Sequence, residues 1–147
     1  MQRILAISSG GGHWEQLMII SDAFDPASVT YATTIERLAE RTGKTAAIVS
    51  DCNRDRPLAS LKCMLEIFAL VWRTKPAMVI STGAAPGLFG IFFGRLLGAR
   101  TVWIDSVANC ERLSMSGKIA GRVADLWLTQ WKHLETEHGP RYLGSVL

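Results

Sequence analysis

The chain has 147 residues, 48% of them hydrophobic and 20% charged, an ordinary globular composition and enough for one domain with a real core. A net charge of +3 with a pI near 9.0 suits an anionic lipid surface or a phosphate ligand, and falls short of the basic stripe that nucleic acid binding requires. Cys52, Cys63 and Cys110 are odd in number and lack C-x-x-C spacing, which argues against a disulfide framework or a zinc site and predicts reduced thiols in a cytoplasmic setting.

Ile4–Ser8 reads as a buried strand, a short apolar run with no signal-peptide core before it. Gly10-Gly11-Gly12-His13 then leads into a helix over residues 13–24, with Leu17, Ile20 and Phe24 at helical spacing and Asp25-Pro26 as its stop. Val29–Thr33 is a second strand by its β-branched and aromatic content, followed by a short helix over 35–41 and a third strand over 45–49. Pro57 suits the first turn of a long helix over 58–74. Leu58, Leu61, Met64, Leu65, Phe68, Val71 and Trp72 cover more than half of that helix, with Arg54, Arg56, Lys62, Arg73 and Lys75 at its ends and flank. A helix so widely apolar is either sandwiched in a core or wets a lipid surface between basic anchors.

Residues 78–81 form a fourth strand that runs into Thr82-Gly83-Ala84-Ala85-Pro86-Gly87, a second glycine-bearing loop. The almost wholly apolar helix over 88–97 includes Phe89 and Phe92 and belongs either to the core or to the same lipid-facing patch. Arg100–Ile104 is strand five, 105–115 a polar loop, 116–124 a short helix, Leu126–Thr129 strand six, 131–137 a last helix and 141–144 a final short strand. No run reaches the roughly 18 to 20 apolar residues of a spanning helix. Strands alternating with helices predict a single Rossmann-like, doubly wound α/β domain over 1–147 with a mainly parallel sheet. Ligands of such sheets sit at the carboxyl ends of the strands, here the loops around Ser9, Thr82 and Asp105.

The glycine loop admits two readings, a tight turn or a ligand loop with a helix start behind it. It fails the dinucleotide fingerprint, because Glu15 stands where the third glycine of G-x-G-x-x-G belongs and no acidic residue ends strand two. No cofactor is expected. The positive end of a helix disfavours an imidazolium, so His13 is expected to be neutral and able to accept a proton or orient a hydroxyl. Glu15 complements the helix dipole. Asp105 and Ser106 would either bind a sugar hydroxyl or brace their loop. Ser114-Met115-Ser116-Gly117-Lys118 has the form of a capped helix start, which suits a diphosphate as readily as plain capping.

The ensemble S-G-G-G-H-x-x-E, S-T-G-A-A-P, I-D-S-x-x-x-x-E-R-L-S-M-S-G-K-I, A-D-L-W-L-T-Q-W and R-Y-L-G resembles the acceptor-side, membrane-anchoring subunit of the two-component UDP-N-acetylglucosamine transferase of lipid-linked oligosaccharide assembly, whose bacterial relatives serve exopolysaccharide and capsule synthesis. The resemblance covers nearly the whole chain. It implies the amino-terminal, acceptor-binding half of a GT-B glycosyltransferase split across two chains, inactive alone. A heterodimeric partner would bind the UDP-sugar, and this chain would hold a polyprenyl-diphosphate-linked sugar.

The catalytic set so implied is His13, Glu15 and Asp105, with no metal. Acceptor and phosphate contacts fall to Ser9, Gly10, Gly11, Gly12, Thr82, Gly83, Ser106, Arg112, Ser114, Ser116 and Gly117. Some members carry an arginine near position 109, where this chain has Asn109; Arg112 is the candidate to replace it. Eukaryotic members usually have an amino-terminal transmembrane anchor, absent from this sequence, so docking to the cytoplasmic face of the membrane would fall to Leu61, Phe68, Trp72, Phe89 and Phe92. The alternative is a non-catalytic membrane scaffold that recruits a self-sufficient transferase.

Overall fold

A computed structural model describes residues 2–53 and 55–147; Arg54, assigned above to the flank of the long helix, lies outside the described residues. Seven strands, β1 (Ile4–Ser8), β2 (Val29–Thr33), β3 (Ala46–Ile48), β4 (Met78–Gly83), β5 (Arg100–Ile104), β6 (Leu126–Thr129) and β7 (Arg141–Tyr142), form one sheet in the order β3-β2-β1-β4-β5-β6-β7. Every neighbouring pair is parallel. The order reverses at β1, which pairs with β2 on one side and β4 on the other, so a crevice opens there at the carboxyl ends of the strands.

Helices α1 (Gly12–Ser21), α2 (Glu36–Arg41), α3 (Pro57–Thr74), α4 (Ala85–Leu96) and α5 (Met115–Ala120) cover both faces. The two-residue side-chain period of β1 divides the core. Leu5 and Ile7 enter a cluster with Cys63, Ile67 and Val71 of α3 and Ile91 of α4, whereas Ala6 joins Trp14 and Leu17 of α1 and Tyr31 of β2. Each fully buried Leu or Ile of this kind contributes about 1.5 to 3 kcal/mol. Asp125 ties β5 to the approach to β6: its carboxylate accepts from the Thr101 backbone N–H at 2.8 Å and pairs with Arg95 of α4.

α3 has a buried apolar side and an exposed apolar side. Cys63, Ile67, Leu70 and Val71 point into the core, while Leu58, Leu61, Leu65 and Trp72 stand exposed. On α4, Phe92 and Leu96 are exposed beside them. Of the residues assigned to a membrane face, Leu61, Trp72 and Phe92 are open to solvent but Phe68 and Phe89 are only half-exposed, Phe68 because its ring meets Phe93 edge-on at 5.1 Å.

Several boundaries differ from the sequence reading. β4 runs on to Gly83 and α4 starts at Ala85, with Pro86 in its first turn, so the second glycine loop shrinks to a single junction. α1 stops at Ser21 and α5 at Ala120. The helix expected over 131–137 is only a 3-10 turn, Lys132–Leu134. Its residues are held by side chains instead: the Trp131 indole donates to the Val107 carbonyl at 2.7 Å, and His133 Nε2 lies 2.6 Å from the Cys110 carbonyl.

Candidate functional site at the carboxyl ends of the strands

The glycine loop is anchored to both neighbours of β1. Ser9 donates its backbone N–H to the Gly83 carbonyl at 2.9 Å, and Gly10 donates to the Thr34 hydroxyl at 3.2 Å. Gly11, at φ 70°, turns the chain into α1 and puts His13 in its first turn. His13 is clamped to the end of β4: its Nδ1 lies 2.9 Å from the Thr82 carbonyl, and the Thr82 hydroxyl donates to the His13 carbonyl at 2.7 Å. A carbonyl oxygen only accepts, so Nδ1 carries the proton and Nε2 presents its lone pair whenever the ring is neutral. Gly83 has φ 124°, and a Cβ there would strike the His13 ring, so the glycine is required both by backbone shape and by the histidine's seat.

Asp105 leaves β5 with 2% of its surface exposed. Its carboxylate accepts from the Trp103 indole at 3.1 Å, the Ser114 backbone N–H at 3.0 Å and the Ser114 hydroxyl at 2.6 Å. The Ser114 hydroxyl in turn caps α5 by accepting from the Gly117 N–H at 2.9 Å. Of the two roles open to Asp105, this geometry displays the loop brace.

Two cavities flank the switch point. One, about 420 Å³, lies between α1 and the loop after β5 and is lined by Gly12, His13, Glu15, Gln16 and Ser106 among others. The other, about 650 Å³, opens toward α3 and α4 and is lined by Ser9, Asn53, Ser60, Pro86, Phe89 and Ser116 among others. The candidate residues therefore divide. His13, Glu15 and Ser106 line one cavity, Ser9 and Ser116 line the other, and Thr82, Gly83 and Gly117 are buried behind them. Arg112 is exposed on the loop surface.

Sequence reasoning missed Gln16 and Gln130, which join the site from behind. Gln16 is 5% exposed and touches Gly12, Ser106, Val107 and Gln130, and Gln130 Nε2 also reaches the Asp105 carbonyl at 3.0 Å. The available signal was a glutamine between Trp14 and Leu17, on the face of α1 that the fold buries. Asn53 and Ser60 were missed as well: Asn53 lies between β3 and α3 and Ser60 in the first turns of α3, and neither stands out as a ligand group in the sequence. Among the described residues no group of three or more His, Cys, Asp or Glu is placed to hold a metal ion, and no helix is long and apolar enough to cross a membrane.

Residues 14–146 match the family model described as oligosaccharide biosynthesis protein Alg14 like. The chain is 25% identical over 178 aligned residues to the human UDP-N-acetylglucosamine transferase subunit ALG14, covering 98% of this chain and 82% of the human one. Among solved structures it is similar to Acinetobacter baumannii MurG, with a TM-score of 0.77 at 14% identity, covering 95% of this chain and 44% of that one. It also resembles the UDP-N-acetylglucosamine 2-epimerase of Rickettsia bellii, with a TM-score of 0.70 at 11% identity, covering 90% and 40%. At these identities the structures establish the fold alone, a Rossmann-like sheet of the kind found in the amino-terminal domain of GT-B proteins, and the chain spans less than half the length of either. By the family match across nearly its whole length, the chain belongs to the Alg14-like family of oligosaccharide biosynthesis proteins.

Proposed function

We propose that this chain is the membrane-associated, acceptor-binding subunit of a two-chain inverting glycosyltransferase. Its partner chain binds a UDP-sugar, and this chain presents a polyprenyl-diphosphate-linked sugar at the cytoplasmic face of the membrane. The observation that carries the reading is the seat of His13. A histidine with Nδ1 bonded to a carbonyl lines a cavity at the switch point of a sheet of the kind found in the amino-terminal domain of GT-B proteins. The family membership and the name of the human relative, a transferase subunit, support it.

In this reaction the acceptor hydroxyl oxygen attacks the anomeric carbon of the donor, the bond from that carbon to the UDP oxygen breaks, and UDP leaves with the electron pair. His13 Nε2 takes the hydroxyl proton, a role that contributes about 10² to 10⁴ in rate when the base is well placed. The exposed Leu58, Leu61, Leu65 and Trp72 of α3, with Phe92 and Leu96 of α4, form the face laid on lipid, flanked by Lys62, Arg73, Lys75 and Arg95.

The test is reconstitution with the product of the neighbouring open reading frame, UDP-sugars and short-chain polyprenyl-diphosphate sugars. Transfer should require both chains. Full activity of the partner alone on a soluble acceptor would overturn the reading in favour of a non-catalytic scaffold, which the enclosure of Asp105 within its own loop favours. Transfer by this chain alone would overturn both.

A further inference from the structure

The wall of the His13 cavity has a direction built into it, set by Gln16. All four hydrogen-bonding positions of this side-chain amide are filled. Nε2 donates to the Gly12 carbonyl at 3.3 Å and to Ser106 Oγ at 3.0 Å, while Oε1 accepts from the Val107 N–H at 3.0 Å and from Gln130 Nε2 at 2.6 Å. The amide has one possible orientation, because the Val107 N–H only donates and the Gly12 carbonyl only accepts.

Ser106 Oγ therefore receives one donor from Gln16, and it receives a second from the Ala108 backbone N–H at 3.2 Å. A hydroxyl has two acceptor positions and one proton, so both acceptor positions are taken. No described residue accepts its proton. Ser106 is 5% exposed and lines the cavity, so the group it offers there is a donor. His13 offers the opposite in the same cavity: its Nδ1–H is bonded to Thr82, leaving the Nε2 lone pair.

One donor and one acceptor together fit a hydroxyl, which accepts from Ser106 and donates to His13. A phosphate oxygen would satisfy Ser106 but leave the histidine lone pair facing negative charge, and the Glu15 carboxylate lining the same cavity adds to that repulsion. We infer that Gln16 is a positioning residue that fixes Ser106 as a hydrogen-bond donor beside His13, so that this cavity takes a neutral hydroxyl of the acceptor sugar and not its diphosphate. This rests on the reading of the chain as the acceptor-binding subunit.

Gln16→Glu tests it, because the substitution keeps size and the acceptor for Val107 but replaces the Nε2 donor by an oxygen that takes the Ser106 proton away from the cavity. In the reconstituted two-chain enzyme with a panel of short-chain polyprenyl-diphosphate monosaccharides, Gln16→Glu and Ser106→Ala should each raise the acceptor KM about tenfold, with the donor KM unchanged. The double variant should be no worse than the more severe single one. Additive losses, or an equal rise in the donor KM, would overturn the inference; unchanged thermal melting confirms that each variant is folded.

If the wild-type pair transfers nothing to any acceptor of the panel, the proposed function fails, and an NMR titration of this chain alone decides the cavity. Shifts at Ser106 and His13 with methyl N-acetylglucosaminide that disappear in Gln16→Glu uphold it. Shifts there with inorganic pyrophosphate only, or with neither probe, overturn it.

Discussion

Asp105→Asn separates a structural carboxylate from a catalytic one. The side chain is 2% exposed and holds three donors, the Trp103 indole and Ser114 Oγ on Oδ1 and the Ser114 backbone N–H on Oδ2. An asparagine keeps the shape but has one acceptor oxygen. In its less costly orientation the amide nitrogen takes the Oδ2 position and confronts the Ser114 N–H, leaving a buried donor unsatisfied at about 1 to 3 kcal/mol, and the two remaining bonds lose their charge assistance. The predicted loss is about 2 to 4 kcal/mol, a large part of the roughly 5 to 15 kcal/mol that holds a domain together.

Urea denaturation followed by tryptophan fluorescence measures it, since the Trp103 indole is one of the affected donors, and amide exchange at Ser114 and Gly117 should accelerate as the cap of α5 loosens. Activity in the reconstituted enzyme should stay within about ten-fold of wild type, because a domain that keeps a few kcal/mol of stability remains almost entirely folded, and it should recover at lower temperature. A variant as stable as wild type, within about 0.5 kcal/mol, but without turnover would refute this reasoning and return Asp105 to direct contact with the substrate.

Replacing His13 by alanine should lower turnover by about 10² to 10⁴ without loss of complex formation on a sizing column, whereas unchanged turnover removes the histidine from the chemistry. Gly83→Ala should reproduce much of that loss, because the new Cβ displaces the imidazole ring; a crystal structure with the ring unmoved would contradict it. Vesicles with anionic lipid should sediment more protein than neutral ones, and Leu61→Ser with Trp72→Ser should weaken partitioning about 30-fold, at about 1 kcal/mol per exposed side chain; equal partitioning of the variant argues for a protein-covered face. Burial pushes the thiols of Cys52 and Cys63 upward, so their thiolate fraction near pH 8 is small, and iodoacetamide should label the exposed Cys110 first. Mass spectrometry that finds Cys63 modified before Cys110 would refute this order.

The strands were legible because a strand buried in a parallel sheet is a short apolar run closed by turn residues, and β1, β2, β5 and β6 have the predicted bounds. The capping role of Ser114 was legible for the same local reason. Trp131 and Leu134, three apart, mimic a helix face, but the indole and His133 bond to carbonyls of a distant loop and outweigh local propensity. Gln16 carried only a faint signal, its place between Trp14 and Leu17. A glutamine in a helix is ordinarily solvated, and its partners Ser106 and Gln130 lie 90 and 114 positions away.

That separation bears on how the chain is born. α1 leaves the ribosome with a glutamine destined for the interior well before Gln130, which bonds it, and before Ser145 and Val146, which donate to Gln130. Until Gln130 is made, the glycine loop exists without the groups that aim it. Assembly of the cavity wall therefore waits on a contact 114 positions away in the chain, and a nascent chain stalled before Gln130 would expose polar groups where the folded protein hides them.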